Sequence, residues 1–238
     1  MDFVEFEKIF KNELKNNNIN DNIDIKNFYE YMNLILDWNK NINLTAIVDP
    51  KEFLVKHFVD SLTILEFVDS KSKIIDVGTG AGFPGIPLKL YDDSLSLTLI
   101  DSVNKKINVL NDVIDKLKLK NIKAIHTRAE DFANDIENRE KFDYAVSRAV
   151  SNMSTLVEYL LPFVKIGGKV ICMKGPNYNE ELQDAKKAID VLGGKIEFIK
   201  NININKDLER NIIIINKIKN TPKKYPRGQG KPLKEPIK

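Results

Sequence analysis

The segment Asp76-Val77-Gly78-Thr79-Gly80-Ala81-Gly82-Phe83-Pro84-Gly85 constrains this chain more than any other. It follows the short apolar run Lys73–Val77 and precedes a helical pattern, so it reads as the turn between a strand and a helix. Glycines at alternate positions let backbone approach a ligand with no Cβ in the way, and Pro84 suits the opening turn of a helix. In an open parallel sheet such a turn lies at the carboxyl ends of the strands, where ligands bind.

The pattern downstream agrees. Strand-like runs at 97–100, 123–125, 142–146 and 169–173 alternate with helical patterns at 84–91, 104–117 and 152–161. Alternating strands and helices predict a parallel sheet covered on both faces. The last two runs, 196–204 and 211–218, are separated only by the polar stretch 205–210, too short for a crossover helix, so they pair as an antiparallel hairpin. The expected fold is α/β, Rossmann-like, with a seven-stranded, mostly parallel sheet ending in an antiparallel hairpin. That is the layout of class I methyltransferases dependent on S-adenosylmethionine (SAM) and not the usual one for dinucleotides.

Residues 1–68 read as a helical extension. Phe3, Phe6, Ile9, Phe10 and Leu14 recur at helical spacing. Asp24 is a candidate N-cap for a helix whose apolar face carries Ile25, Phe28, Tyr29, Met32, Ile35 and Leu36. Pro50 opens a third helix with Phe53, Leu54, Phe58 and Leu62, and 38–46 is a polar, Asn-rich loop. Residues 69–219 then form the sheet core. Residues 220–238, rich in Pro, Gly and Lys, form a basic, extended tail.

Composition excludes several classes. With 42% hydrophobic and 30% charged residues the chain has enough apolar matter for a core and is not disordered. No apolar run approaches the roughly 18 residues of a spanning helix, and MDFVEFEKIF lacks a signal pattern, so no membrane association and a cytoplasmic location are expected. Cys172 is the single cysteine, and its flanks read as a buried strand, hence an inert thiol. With two isolated histidines besides, no metal site is expected. Sustained heptads are missing and a monomer is expected. The net charge is only +3, but 217–238 holds seven Lys and one Arg against one acid, Glu235. Such a segment attracts polyanions or is merely solvated. Lys223, Lys224 and Arg227 are the candidate contacts to such a polyanion, a nucleic acid among the possibilities.

Two ligands compete for the glycine loop. Gly80–Gly85 satisfies GxGxxG, which seats a pyrophosphate on a helix N-terminus; read from Asp76, the same stretch is DxGxGxG, suited to the phosphate-free methyl donor. The hairpin and Asp76 favour the donor, with Gly78, Gly80 and Gly82 as its floor. A glycine turn with no ligand is the remaining alternative. Asp101, ending LTLID, is the natural acid for a ribose. In His126-Thr127-Arg128-Ala129-Glu130, the backbone N–H groups of Ala129 and Glu130 lie where an adenine edge would be read; alternatively Thr127 and Glu130 form a capping box. Arg148 lies at the substrate mouth or pairs with a nearby carboxylate. His57 reads as a satisfied, half-buried histidine or an RNA contact, and Trp38 as RNA stacking or ordinary packing.

Asn43-Leu44-Thr45-Ala46, His57-Phe58-Val59-Asp60-Ser61-Leu62, DVGTGAGFPGIPL, Arg128-Ala129-Glu130, Ser147-Arg148-Ala149, Met173-Lys174-Gly175 and Tyr225-Pro226-Arg227 together resemble one family. It is the GidB (RsmG) family of small-subunit rRNA guanine-N7 methyltransferases, and the resemblance runs from about Asn39 to Pro236. It implies S-adenosyl-L-methionine as cofactor and 16S rRNA or the small ribosomal subunit as partner, methylated at N7 of the guanosine numbered 527 in the usual rRNA numbering. It implies donor contacts at Gly78, Phe83, Ala129, Glu130 and Arg148. N7 carries an in-plane lone pair and no proton, so no catalytic base is expected; Arg148 and Lys174 are candidates for orienting the substrate. Truncation at Asn220 is expected to weaken RNA binding and spare donor binding.

Overall fold

The structure is a computed structural model that describes residues 1–148, 150–206, 208–228 and 230–237. In chain order its elements are α1 (Phe3–Asn16), α2 (Ile25–Asn39), α3 (Pro50–Phe53), a π-helical stretch (Leu54–Val59) running into α4 (Asp60–Leu62), and β1 (Lys73–Val77). Then come α5 (Gly85–Tyr91), β2 (Ser96–Asp101), α6 (Asn104–Lys116), β3 (Ile122–His126), α7 (Ala129–Asn134) and β4 (Phe142–Arg148). α8 (Met153–Leu160), β5 (Val164–Lys174), α9 (Tyr178–Val191), β6 (Gly194–Asn205), β7 (Leu208–Lys217) and α10 (Lys231–Lys234) complete it. No described helix is long and apolar enough to cross a membrane.

The seven strands lie in the order β3-β2-β1-β4-β5-β7-β6. β1 to β5 are parallel, and β7 inserts antiparallel between β5 and β6. The strand order reverses beside β1, which pairs with β2 on one side and β4 on the other, and this opens a crevice at their carboxyl ends.

Period-two alternation sends the apolar strand residues to two cores. Ile74, Val146, Ile171, Met173, Ile212 and Ile214 face one side; Ile75, Ala145, Val170, Cys172, Ile213 and Ile215 face the other, under α8 and α9. The run Ile212–Ile215 looks continuous in sequence because both its faces are covered. The first core continues without a break into the helical extension, where Phe6, Phe10, Phe28, Tyr31, Phe53 and Phe58 are buried in the same cluster.

Several expectations hold in detail. Asp24 caps α2, accepting from Lys26 N at 3.1 Å. Pro50 opens α3, with Asp49 as its cap. Cys172 is fully buried, and burial pushes its thiol up to about 12. Others need correction. The buried face of α2 includes Tyr31, whereas Tyr29 and Leu36 are only half-buried. Helix α9 was not expected, although Leu182, Ala185, Ala188 and Ile189 carry its helical spacing. The chain end is not a free extended tail: it turns and packs on α8, with Pro226, Pro232 and Ile237 buried. Trp38 donates Nε1–H to Asp112 on α6 at 2.7 Å, which makes it a packing residue.

Candidate functional site

The glycine loop is held from below and from the side. Gly78 N and Thr79 N both donate to Ile100 O, at 2.9 and 3.1 Å, so the loop is tied to the end of β2. Asp76 is fully buried; its Oδ2 accepts from Thr79 Oγ1 at 2.8 Å and Gly85 N at 2.9 Å. A Cβ on Gly85 would stand 2.4 Å from Leu99 Cδ2 and 2.9 Å from Asp76 Oδ2, so only glycine lets α5 start this close to the sheet. From the helical extension, Tyr31 Oη donates to Ala81 O at 2.6 Å. Tyr31 and Ile86 also fill the space beside Gly82. Gly82 is therefore packed inward and does not face the crevice.

Beside the loop lies a cavity of about 540 Å³ lined by Gly78, Asp101, Ala129 and Glu130, with Val103, Lys106, Val150, Tyr159, Gly230 and Leu233 completing its walls. Four of the expected donor residues thus share one space. Gly80 does not line it but is tied to it through Asp101: φ is +62°, nothing stands within 4 Å of an added Cβ, and its N–H donates to Asp101 Oδ2 at 3.0 Å. The other carboxylate oxygen of Asp101 accepts from Val103 N at 2.9 Å. This fixes the acid, and each oxygen keeps a lone pair for a diol. α7 starts at Ala129 with Arg128 as its N-cap residue and no side-chain cap. The capping-box alternative is thus not adopted, and the first N–H groups of α7 have no intrahelical acceptor. Val150 leans over Gly78, its Cγ2 2.5 Å from where a Cβ would stand, and narrows the cavity. The preceding residue, Ala149, lies outside the described residues.

Phe83 and Arg148 line a neighbouring cluster and not this cavity. The His57 ring stacks on Phe83 at 4.4 Å and 8°, and the Arg148 guanidinium lies 5.0 Å from the Phe83 centroid. Asp60, with 0% exposure, accepts from Arg148 Nη1 at 2.8 Å and from Arg210 Nε and Nη2 at 2.7 and 3.1 Å. Arg148 Nη2 donates to His57 Nδ1 at 3.2 Å, so the imidazole proton is on Nε2, which meets Thr45 Oγ1 at 2.8 Å. Burial first, then the charges of Arg148 and Arg210, lower His57 to about 3; it is a neutral, satisfied spacer. Asn39 in turn shapes the loop that delivers Thr45, accepting from Leu44 N and Thr45 N. Arg148 and Arg210 open onto a smaller cavity of about 210 Å³ that includes Lys174 and Tyr178. Lys174 itself is buried and engaged: Nζ donates to Ser151 O at 2.8 Å and pairs with Glu181 at 2.6 Å. It holds the loop after β4, and a role toward substrate would require it to leave both partners.

Of the expected RNA contacts, Lys223 and Lys224 are exposed. Arg227 is occupied. Its Nε and Nη2 bind the two oxygens of Glu158 at 2.9 and 2.7 Å, and Glu158 is fully buried, so Arg227 anchors the chain end. Lys217 is likewise buried against Glu140, Leu161 O and Thr221, and burial lowers it to about 8. Sequence reasoning passed over Tyr31, Asp60, Arg210 and Leu233. Only the motif around Asp60 carried any signal; the others are united solely by tertiary contacts. Among the described residues no group of three or more His, Cys, Asp or Glu is arranged to hold a metal.

Comparison with known proteins agrees with this architecture. A family model described as rRNA small subunit methyltransferase G matches residues 24–213. The ribosomal RNA small subunit methyltransferase G of Clostridium botulinum is 49% identical over 99% of this chain and 100% of its own. That of Desulforamulus reducens is 51% identical over 88% of this chain and 89% of its own. Among solved structures, M. jannaschii TYW2 in complex with AdoMet superposes with a TM-score of 0.54 at 17% identity, over 68% of this chain and 76% of that one, and shares the fold. With about half its residues shared along almost its whole length, the chain belongs to the ribosomal RNA small subunit methyltransferase G family.

Proposed function

We propose that this protein transfers a methyl group from S-adenosylmethionine to N7 of a guanosine in 16S rRNA. The observation that carries the reading is the cavity walled by Gly78, Asp101 and Ala129 at the carboxyl ends of β1 and β2, in a chain of this family. The cavity suits a nucleoside: Asp101 for a ribose diol, the first backbone N–H groups of α7, without an acceptor among the described residues, for a ring edge, and apolar side chains for its faces. When bound, S-adenosylmethionine supplies an electrophilic methyl on a sulfonium.

The chain's own work is then positioning. N7 needs no deprotonation, so a general base has nothing to do, and catalysis comes from holding nucleophile and donor in line. Asp60 carries one negative charge against two guanidiniums, which leaves a net positive charge at the smaller cavity, suited to a phosphate or to guanine O6. Lys223 and Lys224 add phosphate affinity with salt dependence. An rRNA substrate also supports a cytoplasmic location. Comparing the modified positions of 16S rRNA from a deletion strain and its complemented parent tests the reaction; a retained N7 methyl in the deletion strain would reject it. Turnover of Arg148→Ala tests the orienting role, and a near-native rate would remove Arg148 from it.

A further inference from the structure

We propose that the folded chain end is a wall of the donor cavity, with Leu233 as a donor-contacting side chain. This rests on the donor reading above. Three apolar side chains with large exposure, Val103 at 43%, Val150 at 37% and Leu233 at 62%, all line the same 540 Å³ cavity. Single exposed apolar residues are ordinary. Three that converge on one cavity lined with Asp101 and free backbone donors leave a surface that a bound nucleoside would cover.

The segment is held in place for this. Arg139 donates to the carbonyls of Thr221 and Tyr225, both at 2.8 Å. Glu140 accepts from Thr221 N at 2.7 Å. Arg227 is fastened to buried Glu158, and Thr155 Oγ1 donates to Pro232 O at 2.8 Å. The last link is in the site itself: Glu130, whose backbone opens α7 at the cavity, accepts from Gly230 N at 3.3 Å. Lys223 and Lys224, exposed and expected to meet RNA, and Leu233, at the cavity, therefore belong to one strap pinned at both ends. On this proposal truncation at Asn220 weakens donor binding as well as RNA binding, unlike the division expected from the sequence. A ligand that orders the strap from one side favours ligand on the other, and the coupling is reciprocal.

Leu233 is exposed in the ligand-free protein, so replacing it leaves the fold intact and isolates the contact. Isothermal titration of the full chain with S-adenosylhomocysteine should show Kd rising about fivefold for Leu233→Ser and within about twofold of wild type for Leu233→Met, with unchanged thermal midpoints for the ligand-free proteins. Hydrogen exchange across 226–235 should slow when ligand binds the wild type. An unchanged Kd for Leu233→Ser, or strap exchange indifferent to ligand, overturns the proposal. Asp101→Ala separates the two levels of inference: if it too leaves Kd unchanged, the donor site has been misplaced; if it abolishes binding while Leu233→Ser is silent, only the strap is wrong.

Discussion

Replacing Asp60 with Asn should destabilise the protein by about 3 kcal/mol and cut methyl transfer further than the loss of folded protein explains. Asp60 has no exposed surface and accepts three charge-assisted hydrogen bonds from Arg148 and Arg210. Asparagine keeps the shape but removes the charge, and turns one acceptor into an NH₂ that faces a guanidinium. Removing one partner of a buried pair costs about 3–5 kcal/mol. The side chains of Arg148 and Arg210 retain 11% and 23% exposure and recover some hydration, which places the cost at the lower end. Urea unfolding followed by the fluorescence of Trp38, the only tryptophan, reads this directly, because Trp38 joins α2 to α6 far along the chain from the substitution. With a urea slope of about 2 kcal/mol per molar, the midpoint should fall by about 1.5 M. A cycle with Arg210→Ala should show coupling of about 1–3 kcal/mol. An unchanged midpoint, or additive single and double variants, would refute the claim that Asp60 organises the two guanidiniums.

Three further outcomes are expected. Tyr31→Phe removes the 2.6 Å bond to Ala81 O and should cost about 1–2 kcal/mol in denaturant unfolding while weakening donor binding in calorimetry; native values for both would show that the glycine loop needs no support from the helical extension. Burial raises Asp76 from 3.8 to about 6, and its Oδ1 is the one buried side-chain N or O atom without a partner among the described residues; its stabilising effect is full below pH 4 and lost as pH rises to 6, a cost of about 3 kcal/mol at pH 7, so Asp76→Asn should be more stable than wild type at pH 7 and equal to it near pH 4, and melts giving the reverse order would refute this. His57, lowered to about 3, contributes in the opposite sense, with stability present above pH 6.5 and lost as pH falls toward 3; its ring resonances in NMR should stay those of the Nε2–H tautomer down to about pH 4, and a midpoint near 6 would break the proposed bond to Arg148.

How much of this was legible depends on the range over which each signal acts. The strands and the hairpin could be read because apolar periodicity and the length of 205–210 are local. The turn at Asp76–Gly85 was legible for the same reason: Gly80, at positive φ, and Gly85, against Asp76, meet steric demands set within a few residues. The helix at 178–191 carries the same kind of local signal in the spacing of Leu182, Ala185, Ala188 and Ile189. Tyr31 is different in kind. Its place on α2 follows from spacing, but its bond to Ala81 spans 50 residues, and no local rule selects it over Tyr29.

Charge was the poorest guide. The segment 217–238 reads as a uniform basic tail, yet Lys217 and Arg227 are spent on Glu140 and Glu158, while Lys223 and Lys224 stay in water. Composition registers how many cations a segment holds, and only the fold assigns each one a carboxylate or leaves it to solvent. The sequence by itself determined the α/β layering, the strand count, the site of the glycine turn and the family. The tertiary structure alone decided that the chain end brings Gly230 and Leu233 to the cavity beside the glycine loop and that Asp60 gathers Arg148 and Arg210. The physical reason is that hydrophobic period and turn sterics act between near neighbours, whereas buried ion pairs and cavity walls join residues brought together only when the chain collapses.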